Sequence, residues 1–125
     1  MNVVDSSGWL EYFADGPNAD FFADPILEVE SLIVPVITVF EVFKRMYLQL
    51  DERAALSAVA NMQQGQLVEL DTALAVHAAR LSVDLKLPMA DSIILATARA
   101  HDAILWTQDS DYEGIENVNY RRRNS

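Results

Sequence analysis

Residues 87–107 read LPMADSIILATARAHDAILWT. Pro88 suits the opening of a helix, because the first-turn N–H that proline lacks has no partner there anyway. From Met89 to His101 that helix is apolar almost all round, through Ile93, Ile94, Leu95, Ala96, Ala98 and Ala100. A helix with no polar face is a buried one. Ala103 to Thr107 then reads as a short apolar strand. One carboxylate interrupts the pattern: Asp91 sits in the first turn of this buried helix.

Working outward, the same alternation repeats. Asn2 to Val4 reads as a strand, followed by Asp5-Ser6-Ser7 as cap chemistry and a short helix carrying Trp9, Leu10, Tyr12 and Phe13. Gly16-Pro17 breaks that helix, and a small one is expected at Ala19 to Ala23, ahead of Pro25. Ser31 to Val36 is a second strand, with helices expected at Thr38 to Leu50 and Asp51 to Met62, the latter stopped by Gly65. Gln66 to Leu70 is a third strand. Leu74, Ala78, Leu81 and Leu85 then recur at helical spacing. Val118 to Tyr120 offers a fifth strand. Short apolar strands alternating with helices predict a mainly parallel sheet of four to five strands, covered on both faces in a three-layer α/β/α sandwich.

The chain has 125 residues, 51% of them hydrophobic, with nineteen acidic against nine basic residues and a net charge of −10. That length suits one domain over 1–125, and a chain this size buries about two-thirds of its unfolded surface. There is no cysteine, which excludes disulfides, thiolate metal sites and a Cys nucleophile. The acidity argues against a protein that coats DNA or anionic membranes, whose affinity comes from neutralising phosphates. It leaves open a nuclease that uses local carboxylates and cations. The longest apolar run, Leu32 to Phe40, is too short for a membrane span and contains Pro35 and Thr38. Asp5 and Glu11 fall where a signal peptide would be basic or apolar, so a cytoplasmic location is expected.

In an open parallel sheet, ligands bind beyond the carboxyl ends of the strands. Four acids stand at such junctions: Asp5 after the first strand, Glu41 after the second, Asp91 at the start of the buried helix and Asp109 after the fourth strand. Converging carboxylates raise each other's pKa, and a divalent cation removes that penalty. Hard oxygen donors suit Mg²⁺ or Mn²⁺. Such ions activate water and stabilise charge on phosphorus, which is phosphodiester hydrolysis chemistry. Each acid also has a plain structural reading. Asp5 suits an N-cap, Thr38-x-x-Glu41 a capping box, Asp91 the helix dipole and Asp109 a turn.

The chain resembles PIN-domain proteins, and among them the VapC-type toxins of toxin–antitoxin pairs. The resemblance rests on Val3-Val4-Asp5-Ser6-Ser7, on Ile37-Thr38-Val39-Phe40-Glu41-Val42, on residues 87–98 and on Leu105-Trp106-Thr107-Gln108-Asp109-Ser110-Asp111-Tyr112. It implies an endoribonuclease dependent on Mg²⁺ or Mn²⁺, with Asp5, Glu41, Asp91 and Asp109 as catalytic and metal-binding acids. Ser6 or Ser7 and Thr107 would support them. It also implies an RNA substrate, a homodimer and a cognate VapB-like antitoxin whose C-terminal segment occupies the cleft. Asp111 reads as a turn residue or an extra acid.

Other residues admit two readings. His77 and His101 lack ligand spacing and suit surface or helix-end positions. Lys44 and Arg45, one turn beyond Glu41, fit either phosphate or partner contacts or a solvated face. Arg121 to Arg123 fit a frayed solubilising tail better than an RNA contact. Phe40, Phe43, Tyr47 and Leu50 divide between core and partner groove, and Trp106 reads as core. A phosphoacceptor domain is a weak rival, because the first junction has a single acid and no Lys follows Lys86. A catalytically silent RNA- or protein-binding module is the stronger alternative.

Overall fold

Successive strand residues face opposite sides of a sheet, and here both sides are apolar. Val3, Ile33 and Leu105 belong to one buried cluster, while Val4, Leu32, Val34 and Trp106 belong to or pack against another. The computed structural model describes residues 1–123 and shows how that pattern is met. The strands are β1 (Asn2–Val4), β2 (Leu32–Pro35), β3 (Gln66–Val68), β4 (Ile104–Thr107) and β5 (Val118–Tyr120). They form one sheet in the order β3-β2-β1-β4-β5, and every pairing is parallel.

Six helices cover it: α1 (Ser6–Phe13), α2 (Ala19–Leu27), α3 (Val36–Gln49), α4 (Glu52–Met62), α5 (Thr72–Leu85) and α6 (Met89–Ala100). Leu74, Ala78 and Leu81 of α5 and Ile93 to Ala96 of α6 pack on the face that carries Val3. Trp9, Phe22, Val42, Ala58 and Met62, from α1 to α4, pack on the face that carries Val4. The architecture is therefore the expected α/β/α sandwich. In α6 every residue from Ser92 to Ala98 is buried, as its all-round apolar sequence demands. No helix among the described residues is long and apolar enough to cross a membrane.

Several boundaries move, each for a local reason. α2 does not stop before Pro25 but carries it inside, through to Leu27. Phe22, Pro25 and Ile26 are all buried, so packing of that face offsets the hydrogen bond proline cannot donate. α3 starts at Val36, earlier than Thr38, with Pro35 as its cap. The capping box is not formed, because the Thr38 hydroxyl donates back to the Pro35 carbonyl at 2.7 Å. Gly65 matters through close approach: a Cβ there would lie 2.9 Å from Val34 Cγ2 and 3.0 Å from the Leu32 carbonyl. Trp106 is only half-buried; it packs against Phe21 and donates from Nε1 to Asn2 Oδ1 at 2.9 Å.

Gly8 shows how tightly α1 sits on the sheet. A Cβ at this position would come within 2.6 Å of the Phe22 ring and 2.7 Å of Val4 Cγ1. Gly8→Ala is expected to destabilise the protein by about 1–3 kcal/mol through overpacking, despite alanine's better helix propensity. Urea denaturation of the two proteins checks this; an unchanged or raised midpoint would show that α1 yields freely.

Candidate active site

β1, β2 and β4 are adjacent and parallel, so the segments leaving their carboxyl ends emerge together. Asp5 leaves β1 as the N-cap of α1 and is only 3% exposed. Its Oδ1 accepts from the Gly8 N–H and the Ser7 hydroxyl, both at 2.8 Å, and its Oδ2 accepts from the Thr107 hydroxyl at 2.6 Å. Burial raises its pKa to about 6. The Thr107, Gly8 and Ser7 hydrogen bonds oppose that rise and the charge of Asp109 adds to it. The capping role and the site position are thus one and the same.

Glu41 lies in the second turn of α3, one turn later than expected, because the helix begins at Val36. Its Oε1 accepts from the Ser6 hydroxyl at 2.6 Å, across 35 residues of sequence. A hydroxyl in the first turn of α1 therefore holds this carboxylate in the place where a capping box was one reading.

Asp91 occupies the first turn of α6 and is partly buried. Burial raises its pKa to about 7, followed by the charge of Asp109, a hydrogen bond to Asp111 and the further charges of Asp111 and Asp5. The Asp91 carbonyl accepts from the Tyr112 hydroxyl at 2.9 Å. Burial first, and then the charges of Asp5, Asp91 and Asp109, push that buried phenol far above its ordinary pKa, so it stays a neutral donor.

Asp109 caps a short 3-10 turn, Ser110–Tyr112, and its Oδ1 accepts from the Asp111 N–H at 2.9 Å. The Asp109 N–H donates to Thr107 Oγ1 at 2.9 Å. The Thr107 hydroxyl thus joins the two acids, accepting from Asp109's backbone while donating to Asp5.

All four expected acids, with Ser6 and Ser7, line one cleft of about 680 Å³. They are not equally close. Among the described residues the tight group is Asp91, Asp109 and Asp111, whose carboxylate oxygens lie within 4.8 Å of one another. Asp5 and Glu41 line the cleft outside that group. Asp111 was read chiefly as a turn residue; the 3-10 turn is what swings its carboxylate to Asp91. The signal available in the sequence was its two-residue spacing from Asp109. This donor set is all oxygen, anionic and partly desolvated, which suits a hard divalent cation. Neither histidine lines the cleft, and His101 instead pairs through Nδ1 with the Thr97 carbonyl at 3.0 Å.

The raised pKa values make stability depend on pH with a definite sign. A carboxyl whose folded pKa exceeds its unfolded value favours the folded state when protonated. That contribution is complete below about pH 4 and disappears as pH rises through about 6 for Asp5 and about 7 for Asp91. For the fully buried Asp5 it amounts to roughly 2–3 kcal/mol. In chelator, the melting temperature should fall between pH 5 and pH 8, and Asp91→Asn should flatten the upper part of that fall. Calorimetry across this range checks both, and a profile that rises with pH would contradict the burial of these acids.

The chain matches the PIN domain over residues 3–118, a span that runs from within β1 to the start of β5. No curated protein matches it in sequence. Solved structures share its fold at low identity. A chain of a toxin–antitoxin complex from Klebsiella pneumoniae superposes with a TM-score of 0.80 at 22% identity, covering 95% of this chain and 96% of that one. The sarcin-ricin-loop-cleaving VapC toxin of Mycobacterium tuberculosis gives 0.77 at 14% identity, covering 93% and 95%. FitAcB from Neisseria gonorrhoeae gives 0.72 at 22% identity, covering 96% of each chain. A family match over nearly the whole chain, on a parallel sheet whose strand ends gather acids into one cleft, leads to one assignment: the chain belongs to the PIN domain family.

Proposed function

We propose that this protein is a metal-dependent endoribonuclease of the VapC toxin type, acting as one domain over residues 1–125. The observation that carries this reading is the gathering of Asp5, Glu41, Asp91 and Asp109 from separate segments into one cleft at the carboxyl edge of the sheet. Asp91 and Asp109, joined by Asp111, would hold Mg²⁺ or Mn²⁺, with Asp5 and Glu41 completing the acidic set. When bound, such an ion would activate water and stabilise charge developing on phosphorus.

The chain's own groups do the positioning. Ser7, Gly8 and Thr107 fix the Asp5 carboxylate, and Ser6 fixes Glu41. Tyr112 ties the first turn of α6 to the segment after β4. These contacts settle the geometry before substrate arrives, so little reorganisation is left for the reaction. Hydrolysis adds water across a P–O bond: the attacking oxygen loses a proton and the departing oxygen gains one. The carboxylates facing the cleft are the chain's proton acceptors there, since it has no cysteine and its histidines lie elsewhere.

The regulatory part of the reading follows the relatives. The Klebsiella pneumoniae relative was solved as a toxin–antitoxin complex. By analogy this chain would be held by a cognate VapB-like antitoxin, as a cytoplasmic homodimer. The same cleft is also lined by Phe40, Leu48 and Leu50, all more than half exposed, as apolar surface for such a segment.

Purified protein incubated with cellular RNA and Mg²⁺ or Mn²⁺ tests the reading. Cleavage is expected, chelator should abolish it, and Asp91→Asn should lower it at least roughly a hundredfold with the far-UV spectrum unchanged. Equal cleavage by Asp91→Asn would sink the site assignment. RNA binding without any cleavage would favour the catalytically silent module instead.

A further inference from the structure

In a chain with a net charge of −10, the placement of the few cations is informative. Nine residues are Lys or Arg, and three of them, Lys44, Arg45 and Arg123, line the acidic cleft. Lys44 and Arg45 lie on α3, one turn beyond Glu41. Arg123 comes from the other end of the chain, from a segment expected to fray. It does not fray within the described residues. The Arg121 N–H donates to the Thr107 carbonyl at 3.0 Å, continuing the pairing of β5 with β4, and the Arg121 guanidinium stacks 4.5 Å from the centre of the Phe21 ring.

The clamp beneath that segment is buried and polar. Asn18 is 2% exposed and Gln108 4%. Asn18 Nδ2 donates to Gln108 Oε1 at 3.0 Å and to the Arg122 carbonyl at 3.1 Å. Gln108 is itself the residue between Thr107 and Asp109. Burying two amides is costly unless their partners are fixed. Here the partners are each other, the Ser7 carbonyl, which accepts from Gln108 Nε2 at 3.5 Å, and the backbone immediately before Arg123. The fold thus spends buried polar groups on holding an arginine segment beside the acids. Phe40, 60% exposed, lines the same cleft and lies under Lys44 Nζ, 5.8 Å from its ring centre. Cations beside an exposed aromatic ring form the combination that binds single-stranded nucleic acid, by phosphate contact and base stacking.

We propose that Lys44, Arg45 and the clamped Arg123 hold the phosphates of single-stranded RNA flanking the scissile bond, with Phe40 stacking a base. Asn18 and Gln108 act as positioning residues for Arg123. This rests on the ribonuclease reading above and adds to it the track by which an acidic protein grips its substrate. The grip is local, confined to the cleft, while the acidic remainder of the surface repels RNA.

The test measures anisotropy of a short fluorescein-labelled single-stranded RNA of mixed sequence, in the Asp91→Asn background with Mg²⁺, over a range of salt. Lys44→Ala, Arg45→Ala and Arg123→Ala should each weaken binding roughly three- to tenfold and lower the slope of log K against log salt by about 0.7. Arg123→Lys should keep most of the affinity. Phe40→Ala should weaken binding with the slope unchanged. Asn18→Ala should weaken binding as Arg123→Ala does, and combining the two should add nothing further; a merely structural role for Asn18 would make the effects additive. In the cleavage-competent protein the same charge variants should raise KM more than they lower kcat. If the parent binds and the wild type cleaves while these variants match them in affinity and salt slope, this inference alone falls. If the parent binds no RNA, the function proposed above falls with it.

Discussion

Asp5 is a carboxylate at the end of the central strand, with 3% of its surface exposed. Such a group is stable only if its oxygens are met by donors. Two elements supply them: α1 through Ser7 and Gly8, and β4 through Thr107. The consequences spread outward. Thr107 must end β4 beside β1, and its hydroxyl then takes the Asp109 N–H. Asp109 in turn caps the turn that places Asp111 and Tyr112, and Tyr112 closes back on Asp91. One buried charge therefore sets the register of the segments that build the cleft.

The parallel sheet makes that convergence possible. Every strand points the same way, so every chain exit from a strand's carboxyl end lies on one edge. The helices returning the chain must cover both faces, and the two apolar clusters are the result. The same arrangement concentrates like charge. Asp5 and Asp91 have raised pKa values because the fold crowds and desolvates them. Stability is given up at the edge of the sheet in exchange for a set of oxygen donors. Three cations, Lys44 and Arg45 from α3 and Arg123 from the chain's far end, line the same cleft.

The sequence was most legible where packing demanded one residue type. The helix from Met89 onward and the strands around Val3, Ile33 and Leu105 are recognisable because burial on all sides leaves only apolar residues. The four acids were legible as junction residues for the same reason: each interrupts or ends an apolar run. The reading failed where two local signals competed. Pro25 looked like a stop, yet the buried face around Phe22 and Ile26 carries the helix past it. Thr38 and Glu41 had capping-box spacing, yet the helix starts earlier and Glu41's partner is Ser6. The tail arginines looked frayed because their anchors, Asn18 and Gln108, are distant in sequence and individually unremarkable.

The division has a physical basis. Periodicity, chain breakers and charge are properties of neighbouring residues, so the amino-acid sequence by itself determined the order of strands and helices, the parallel three-layer architecture and the junctions where acids stand. Distances between those junctions depend on how strands align and helices dock, which no local pattern encodes. Only the tertiary structure decided that Asp111 joins Asp91 and Asp109, that Thr107 bridges Asp5 to Asp109, and that Arg123 lines the same cleft as Lys44.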